Sequence, residues 1–431
     1  MGILYIAFNL ITLLISKGVY RKWVNPVSIY SIVWSIAVGI HESGLIIYFE
    51  ILPFTWFVIF FMQIVFVICS YIGFNLKSSQ KTTVSGECVN SVRLKKEIKR
   101  WLLITSLIAS IAIVGDFIII IRIYGTDLLK HLTDIYSDRV HQNIDLTTIP
   151  YLGAFSYIAT SLAGVYLKKY GFDLYIVLPL SLGVMRSLTT GGRAGIVFIV
   201  AIFVYSYIAS SSQIEENRIK LKQKFWIVLS CFVLLCAIFI ISARRSVGES
   251  LLYATDSYIN LFGKNATIYK ILTYLASPIG ALNQYLKTCK FNFGQNTFLT
   301  IYNLLAKVGI IDRIDQYQEF FNTPESCNVA TWLRELIEDF TIAGAIPAVS
   351  LFALVTSFVY KESKKFRSIR NIVVWSILAM ILTLSSFDWK FRSADIWIAI
   401  LFGYIIGKKI DKASGKEMVY SNDRCFNTEL Q

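Results

Sequence analysis

The chain has 431 residues, of which 55% are hydrophobic and only 16% are charged, and its formal net charge at pH 7 is +14. This composition excludes a cytosolic globular enzyme, a disulfide-dense secreted module and a disordered chain. It is typical of a protein that lies in a lipid bilayer.

Apolar segments of about the length needed to cross a membrane recur along the whole chain. No internal repeat or low-complexity linker separates them, so we predict an all-α, polytopic membrane protein with a single membrane domain, 1–431. About eleven transmembrane helices are predicted, at 2–16, 26–40, 53–74, 101–121, 151–167, 172–188, 194–210, 225–242, 341–360, 371–386 and 393–407.

The positive charge lies in alternate loops between these segments. Those loops hold 26 of the 42 Lys and Arg residues against 9 acidic ones. The positive-inside rule puts this set in the cytoplasm, which leaves the N-terminus outside and the C-terminus inside. A nucleic-acid-binding protein would instead gather its basic residues on one face, so we expect no nucleic-acid partner. The basic loops are 17–24, 75–100, 168–170, 211–224, 361–370 and 408–431.

One outer loop, 243–340, is much larger than the other connections. Its segments 265–287 and 296–309 carry apolar side chains at helical spacing, which predicts amphipathic helices that lie on the membrane or pack across the bundle. The loop also contains Cys289 and Cys327. An oxidising exterior would permit these two to form a disulfide, although we expect two free thiols. The size of the loop predicts that function faces outward.

Several arginines are predicted near the outer surface, where the loops are otherwise poor in positive charge, so a functional role is considered for them. Arg186 and Arg193 bracket the sequence SLTTGG, and Arg244 and Arg245 follow the eighth predicted span. A guanidinium suits phosphate or pyrophosphate oxygens, and the Gly-containing turn before the helix at 194 would favour an anion at the same place. The alternative is that interfacial arginines extend to the water and the glycines only turn the chain.

The segment ATWLRELIEDFTIAGAI leads into the ninth predicted span. Arg334 and Glu338 are four residues apart, as are Glu335 and Asp339, so each pair shares a helical face. Glu338 is the candidate general base, because a partly desolvated carboxylate can accept the proton of a sugar hydroxyl. An ordinary ion pair in a solvated turn is an equal alternative. Asp116, inside an apolar run, is expected to make an interhelical hydrogen bond.

Four stretches together resemble the O-antigen or oligosaccharide repeat-unit polymerases called Wzy. They are GGRAGIVFIVAIF, YLASPIGALNQYLK, FGQNTFLTIYNLLAKVG and NVATWLRELIEDFTIAGAI. The resemblance implies a GT-C-like fold in the bacterial inner membrane and a metal-independent glycosyltransferase without a cofactor. Its substrate would be an oligosaccharide on undecaprenyl pyrophosphate, with a chain-length regulator and a flippase as partners.

The same resemblance implies roles for particular residues. Arg193 and Glu338 would be catalytic, and the pyrophosphate would be held by Arg186, Arg193, Arg244, Arg245 and Arg334. An O-antigen ligase shares the general layout, but ligases resemble one another in a histidine of the large outer loop, and 243–340 contains none. A flippase or other transporter is the second alternative, although it would usually show two similar halves and charges at the bilayer midplane.

Overall fold

The protein is mostly helical. The computed structural model describes residues 1–77, 91–128, 130–140, 148–192, 194–211, 251–312, 319–323, 325–366 and 368–428, together with residues 239, 243 and 314. Within this part of the chain, the helices are α1 (Gly2–Tyr20), α2 (Pro26–Glu42), α3 (Pro53–Asn75), α4 (Ser91–Tyr124), α5 (Leu132–Val140), α6 (Phe155–Tyr170), α7 (Val177–Thr190), α8 (Ala194–Ala209), α9 (Asp256–Phe262), α10 (Ala266–Thr288), α11 (Leu299–Lys307), α12 (Trp332–Phe366), α13 (Ile369–Thr383) and α14 (Ala394–Thr428). Two short strands, β1 (Phe321–Asn322) and β2 (Ser326–Cys327), pair antiparallel.

Ten of the eleven predicted spans coincide with helices, and the segment 225–242 lies, apart from residue 239, outside the described residues. Among the described helices, α1, α3, α4 and α12 are long and apolar enough to cross a membrane. The segment Leu174–Thr190, α8 and α13 are apolar but shorter. These helices suit a multi-pass membrane protein, while the number of spans remains a prediction.

The chain forms two compact units and passes between them five times. Unit 1 comprises 1–75, 239–358 and 381–394, and unit 2 comprises 76–238, 359–380 and 395–431. This division into compact units does not test the single membrane domain, 1–431, which stays a prediction.

The first three helices of unit 1 are joined by buried polar side chains. The Tyr5 hydroxyl of α1 donates to Gln63 Oε1 of α3 at 3.1 Å, and Gln63 Nε2 donates to Asn9 Oδ1 at 2.9 Å and to Ser31 Oγ of α2 at 3.1 Å. A polar group among apolar helices costs free energy unless it finds such a partner. Each bond of this kind contributes about 0.6 kcal/mol between membrane helices.

In the large outer loop, helices occupy both segments with apolar helical spacing, and α10 packs into unit 1. Its Asn283 Oδ1 accepts hydrogen bonds from Leu52 N at 3.0 Å and Thr55 Oγ1 at 2.8 Å, while its Nδ2 donates to Glu50 O at 3.0 Å. One buried amide thereby fixes α10 against the start of α3. The β1–β2 hairpin is fastened to α10 through Glu325, whose carboxylate is 3.0 Å from Lys270 Nζ.

In unit 2, α6 packs closely against α4 and α8. A Cβ at Gly164 of α6 would lie 2.0 Å from Ser206 Oγ of α8, so only glycine permits this approach. Ser376 Oγ of α13 donates to Ser161 Oγ of α6 at 2.9 Å. Small residues and short hydroxyl bonds at such contacts are characteristic of helices packed within membranes.

The helix α12 begins earlier than the sequence predicts. The predicted span starts at 341, whereas α12 starts at Trp332, whose backbone N–H donates to Ser385 O at 3.0 Å. Thr341 interrupts the helix with φ 63° and ψ 176°, a conformation that a β-branched residue rarely adopts. The acidic residues Glu335, Glu338 and Asp339 therefore lie in the two helical turns before this kink, which agrees with the predicted helical spacing and not with the alternative of a solvated turn.

Candidate functional site

The first turns of α12 bury four ionisable side chains in unit 1. Arg334, Glu335, Glu338 and Asp339 are all less than 9% exposed. The helical spacing predicted from the sequence is present, and Arg334 Nη2 lies 3.6 Å from Glu338 Oε2. Burying charges is costly unless each has partners, so the surroundings of these groups determine what the site can do.

The Glu338 carboxylate is held by two asparagine side chains from the loop before α11. Asn292 Nδ2 donates to Glu338 Oε1 at 2.6 Å, and Asn296 Nδ2 donates to Glu338 Oε2 at 3.3 Å. Together with Arg334, these donors direct hydrogens at both carboxylate oxygens. The carboxylate is therefore fixed in position, as a general base requires.

Asp339 attaches the same loop to the helix. Its carboxylate accepts hydrogen bonds from Asn296 N at 2.8 Å and from Thr297 N and Thr297 Oγ1, both at 2.6 Å. Backbone bonds from Asn292 N to Glu338 O at 2.7 Å and from Gly294 N to Asp339 O at 3.0 Å close the contact. Gly294 has a φ of 83°, which glycine adopts at little cost.

The turn between α13 and α14 completes the cluster through Glu335. This carboxylate accepts the backbone N–H of Trp389 and lies 3.5 Å from Arg392 Nη1. The same Nη1 donates to Asn296 Oδ1 at 3.0 Å. A continuous chain of contacts thus runs from Glu335 through Arg392 and Asn296 to Glu338. Within the turn, Lys390 is paired with Asp388.

Arg334 lies against aromatic rings as well as against Glu338. Its guanidinium carbon is 4.6 Å from the centre of the Phe321 ring and 5.5 Å from that of Tyr285. Only 2% of the side chain is exposed. Rings stabilise a desolvated guanidinium through their negative faces, so the position of Arg334 suits an internal counter-charge for Glu338.

Arg186 belongs to unit 2, in α7. It pairs with Asp395 at the start of α14, donates to Gly153 O at 2.9 Å, and lies 5.0 Å from the centre of the Tyr157 ring. The side chains of the pair are 20% and 19% exposed. All of these partners of the guanidinium belong to its own unit.

Three predicted site residues, Arg193, Arg244 and Arg245, lie outside the described residues. The turn beside Arg193 is described: Gly191 ends α7 with a φ of 60°, and α8 begins at Ala194. Asp116 accepts hydrogen bonds from Thr148 N at 2.7 Å and Thr148 Oγ1 at 2.9 Å. Thr148 lies in the segment before α6 and not in a helix, so this is not the interhelical bond that the sequence predicts.

The two outer-loop cysteines are free, as expected. Burial raises the pKa of the Cys327 thiol to about 11, so this thiol is protonated and unreactive at neutral pH. Cys289 is exposed at the end of α10.

The residues that sequence reasoning missed are the neutral members of the cluster. Asn292, Asn296 and Thr297 lie in the stretch FNFGQNTF, about forty residues before the carboxylates that they bind. Their polarity between aromatic residues is the only signal in the sequence, and it does not identify a partner. Arg392 stands out in the sequence as a charge in the last outer turn, but without an assigned role.

No protein-family model, curated protein or solved structure matches this chain.

Proposed function

We propose that the chain is a membrane glycosyltransferase that polymerises oligosaccharide repeat units carried on undecaprenyl pyrophosphate, at the outer face of a bacterial inner membrane. The product would be an O-antigen or capsular polysaccharide. The observation that carries this proposal is the buried cluster of Arg334, Glu335, Glu338 and Asp339 at the start of a membrane-length helix. Ionisable groups are kept at such a place chiefly for function.

The proposed reaction joins a hydroxyl at the non-reducing end of an incoming unit to the sugar that the donor pyrophosphate carries. The hydroxyl oxygen forms a bond to the anomeric carbon, the bond from that carbon to the pyrophosphate oxygen breaks, and undecaprenyl pyrophosphate leaves with the electron pair. Glu338 takes the hydroxyl proton. A positioned base of this kind contributes about 10²–10⁴-fold to a rate.

The leaving group gains negative charge, and fixed cations stabilise such a transition state. We assign this role to Arg193, Arg244 and Arg245, by the resemblance described above, and to Arg392, whose side chain is 15% exposed and touches the Glu338 network. Arg334 is assigned to Glu338 and Arg186 to Asp395, because each is held inside the protein by those partners.

Deletion of the gene in its host, followed by analysis of the surface glycan, tests the proposal. A polymerase predicts single repeat units on the acceptor and no long chains. Accumulated lipid-linked polymer would indicate a ligase, and accumulation of single units on the cytoplasmic side would indicate a flippase. Either result would overturn the proposal.

Complementation of the deletion with variants tests the assigned cations. We expect Arg193→Ala and Arg244→Ala each to abolish long chains while protein levels and single-repeat products stay unchanged. Lys287→Ala, which removes an exposed cation of the large outer loop that also contains Arg244, is the matched control and should restore long chains. Normal long chains from both arginine variants would remove the pyrophosphate assignment.

A further inference from the structure

The helix α11 and the residues at its two ends carry an apolar stripe that is exposed among the described residues of unit 1. Phe298, Ile301, Leu304 and Val308 follow one another at spacings of three, three and four residues, which places them on one helical face. They are 41%, 53%, 54% and 69% exposed, whereas Leu299 is buried. A contiguous exposed apolar surface of this kind marks a contact with a partner or a membrane.

Two aromatic side chains extend this surface before the helix begins. Phe291 and Phe293 are exposed, and their ring centres lie 4.1 Å apart. Tyr302 of α11 donates its hydroxyl to Phe293 O at 2.8 Å, which holds the aromatic pair beside the helix. The apolar surface is therefore built by a loop and a helix that are fixed to each other.

The attachment of this segment indicates what covers it. Backbone bonds from Asn292 N to Glu338 O and from Gly294 N to Asp339 O fasten the segment to α12, immediately before the kink at Thr341. The apolar part of α12 follows that kink, and α12 is long and apolar enough to cross a membrane. The surface of α11 is thus anchored where an apolar membrane helix gives way to polar residues, which is the depth of the lipid headgroups.

We propose that α11, together with Phe291 and Phe293, lies in the headgroup layer of the bilayer with its apolar stripe toward the acyl chains. Short helices with one apolar face bind membranes in this orientation. Lys307, exposed in the last turn, can extend its ammonium group to the headgroups. Two helices of the outer loop therefore differ: α10 packs into the protein, and α11 rests on lipid.

This placement has a consequence for the charged cluster. The loop that precedes α11 supplies the donors that bind Glu338 and Asp339. Lipid contact on α11 therefore fixes the loop, and with it the cluster, at headgroup depth. Contact of α11 with lipid does not depend on the polymerase activity proposed above.

Spin-label accessibility tests the proposal on the full-length protein in nanodiscs that each contain one copy. Single cysteines are introduced as Ile301→Cys and Leu304→Cys, in a background that lacks the seven native cysteines, and a nitroxide is attached. Lys287→Cys at the exposed end of α10 is the control. Circular dichroism and gel filtration show that each labelled protein is folded.

We expect collisions of the labels at 301 and 304 with oxygen, which concentrates in lipid, to exceed those with a water-soluble nickel chelate several-fold, and the ratio to reverse at 287. Free access of the nickel chelate to both stripe labels would place α11 in water and overturn the proposal. Protection from both reagents would show that protein covers the stripe, and would overturn it equally.

Discussion

Each unit places an arginine beside a carboxylate, buried in unit 1 and partly buried in unit 2, and the two arrangements differ in their balance of charge. In unit 2, Arg186 pairs with one carboxylate, Asp395, and among the described residues it also contacts a carbonyl oxygen, a hydroxyl and a ring. The Asp116 carboxylate acts on it from a greater distance. In unit 1, the described cluster contains more acidic than basic groups and neutral amide donors from a loop. Its charged members are Glu335, Glu338, Asp339, Asp388, Arg334, Lys390 and Arg392.

This difference separates two uses of buried charge. A one-to-one pair is electrically complete, so removing either partner leaves an uncompensated charge. A cluster with surplus carboxylates, oriented by neutral amides, can take up a proton without losing its structure. We therefore propose that the Arg186–Asp395 pair stabilises unit 2 and that the cluster in unit 1 takes part in proton transfer.

The largest predicted effect on stability comes from breaking the unit 2 pair. Asp395→Ala should lower the free energy of unfolding by about 3 kcal/mol, the lower end of the range for a buried pair, because the guanidinium of Arg186, only 20% exposed, would lose its carboxylate. The double variant Arg186→Met with Asp395→Leu should recover most of this loss. Thermal unfolding in nanodiscs measures both variants. A double variant that regains stability but makes no long glycan would show that Arg186 takes part in the chemistry.

An intermediate effect is expected from the amide that links the two ends of the unit 1 cluster. Asn296→Ala removes the contacts from its side chain to Glu338 and Arg392. When a buried charged group loses one hydrogen bond, the free-energy penalty is about 1–3 kcal/mol. We expect polymer synthesis by the purified protein to fall roughly tenfold or more.

The matched control is Asn75→Ala, because the exposed Asn75 side chain donates to Tyr71 O of its own helix and to no other residue in the described part of the chain. Its rate should stay at the wild-type level. An unchanged rate in Asn296→Ala, measured on protein shown to be folded, would remove Asn296 from the network that positions Glu338.

The smallest predicted effect concerns Asp411 of unit 2, which accepts the N–H groups of Ile369 and Arg370 at 2.7 and 3.2 Å. Burial raises the pKa of this carboxyl from 3.8 to about 6. Because the folded state binds the proton more tightly, this contribution to stability is complete below about pH 4 and is lost as the pH rises through about 6.

Lowering the pH from 7 to 5 should therefore stabilise the wild type by roughly 1 kcal/mol relative to Asp411→Asn, which keeps the acceptor but does not titrate. The difference in Tm between the two proteins at the two pH values measures this effect. Equal shifts in both proteins would assign the pH response to other groups.

The sequence predicts the helices well, because apolar composition and length suffice to locate a helix in a membrane protein. It misplaces the start of α12. The residues Arg334 to Asp339 are too charged to be read as membrane helix, and the hydrogen bonds that bury them come from residues 292–297 and 389–392, distant in the chain. Such long-range partners leave no periodic signal.

In the candidate site, too, contacts within one helix could be predicted from the sequence and contacts between distant residues could not. The four-residue spacing of Arg334 and Glu338 predicts one helical face, and the structure brings them to 3.6 Å. The spacing could not show that Arg334 is enclosed by the rings of Phe321 and Tyr285. Nor could it show that Arg186 pairs with a carboxylate 209 residues away.

The most direct test of the central claim uses Glu338→Gln in purified protein supplied with lipid-linked repeat units. Glu319→Gln, which neutralises an exposed carboxylate 3.2 Å from Lys290, is the matched control. Glu319→Gln should form polymer and release one polyprenyl pyrophosphate for each bond made. In folded Glu338→Gln, the rates at which polymer and polyprenyl pyrophosphate form should both fall by about 10²-fold or more. Polymer formation by Glu338→Gln at the wild-type rate would contradict the assignment of Glu338 as the base.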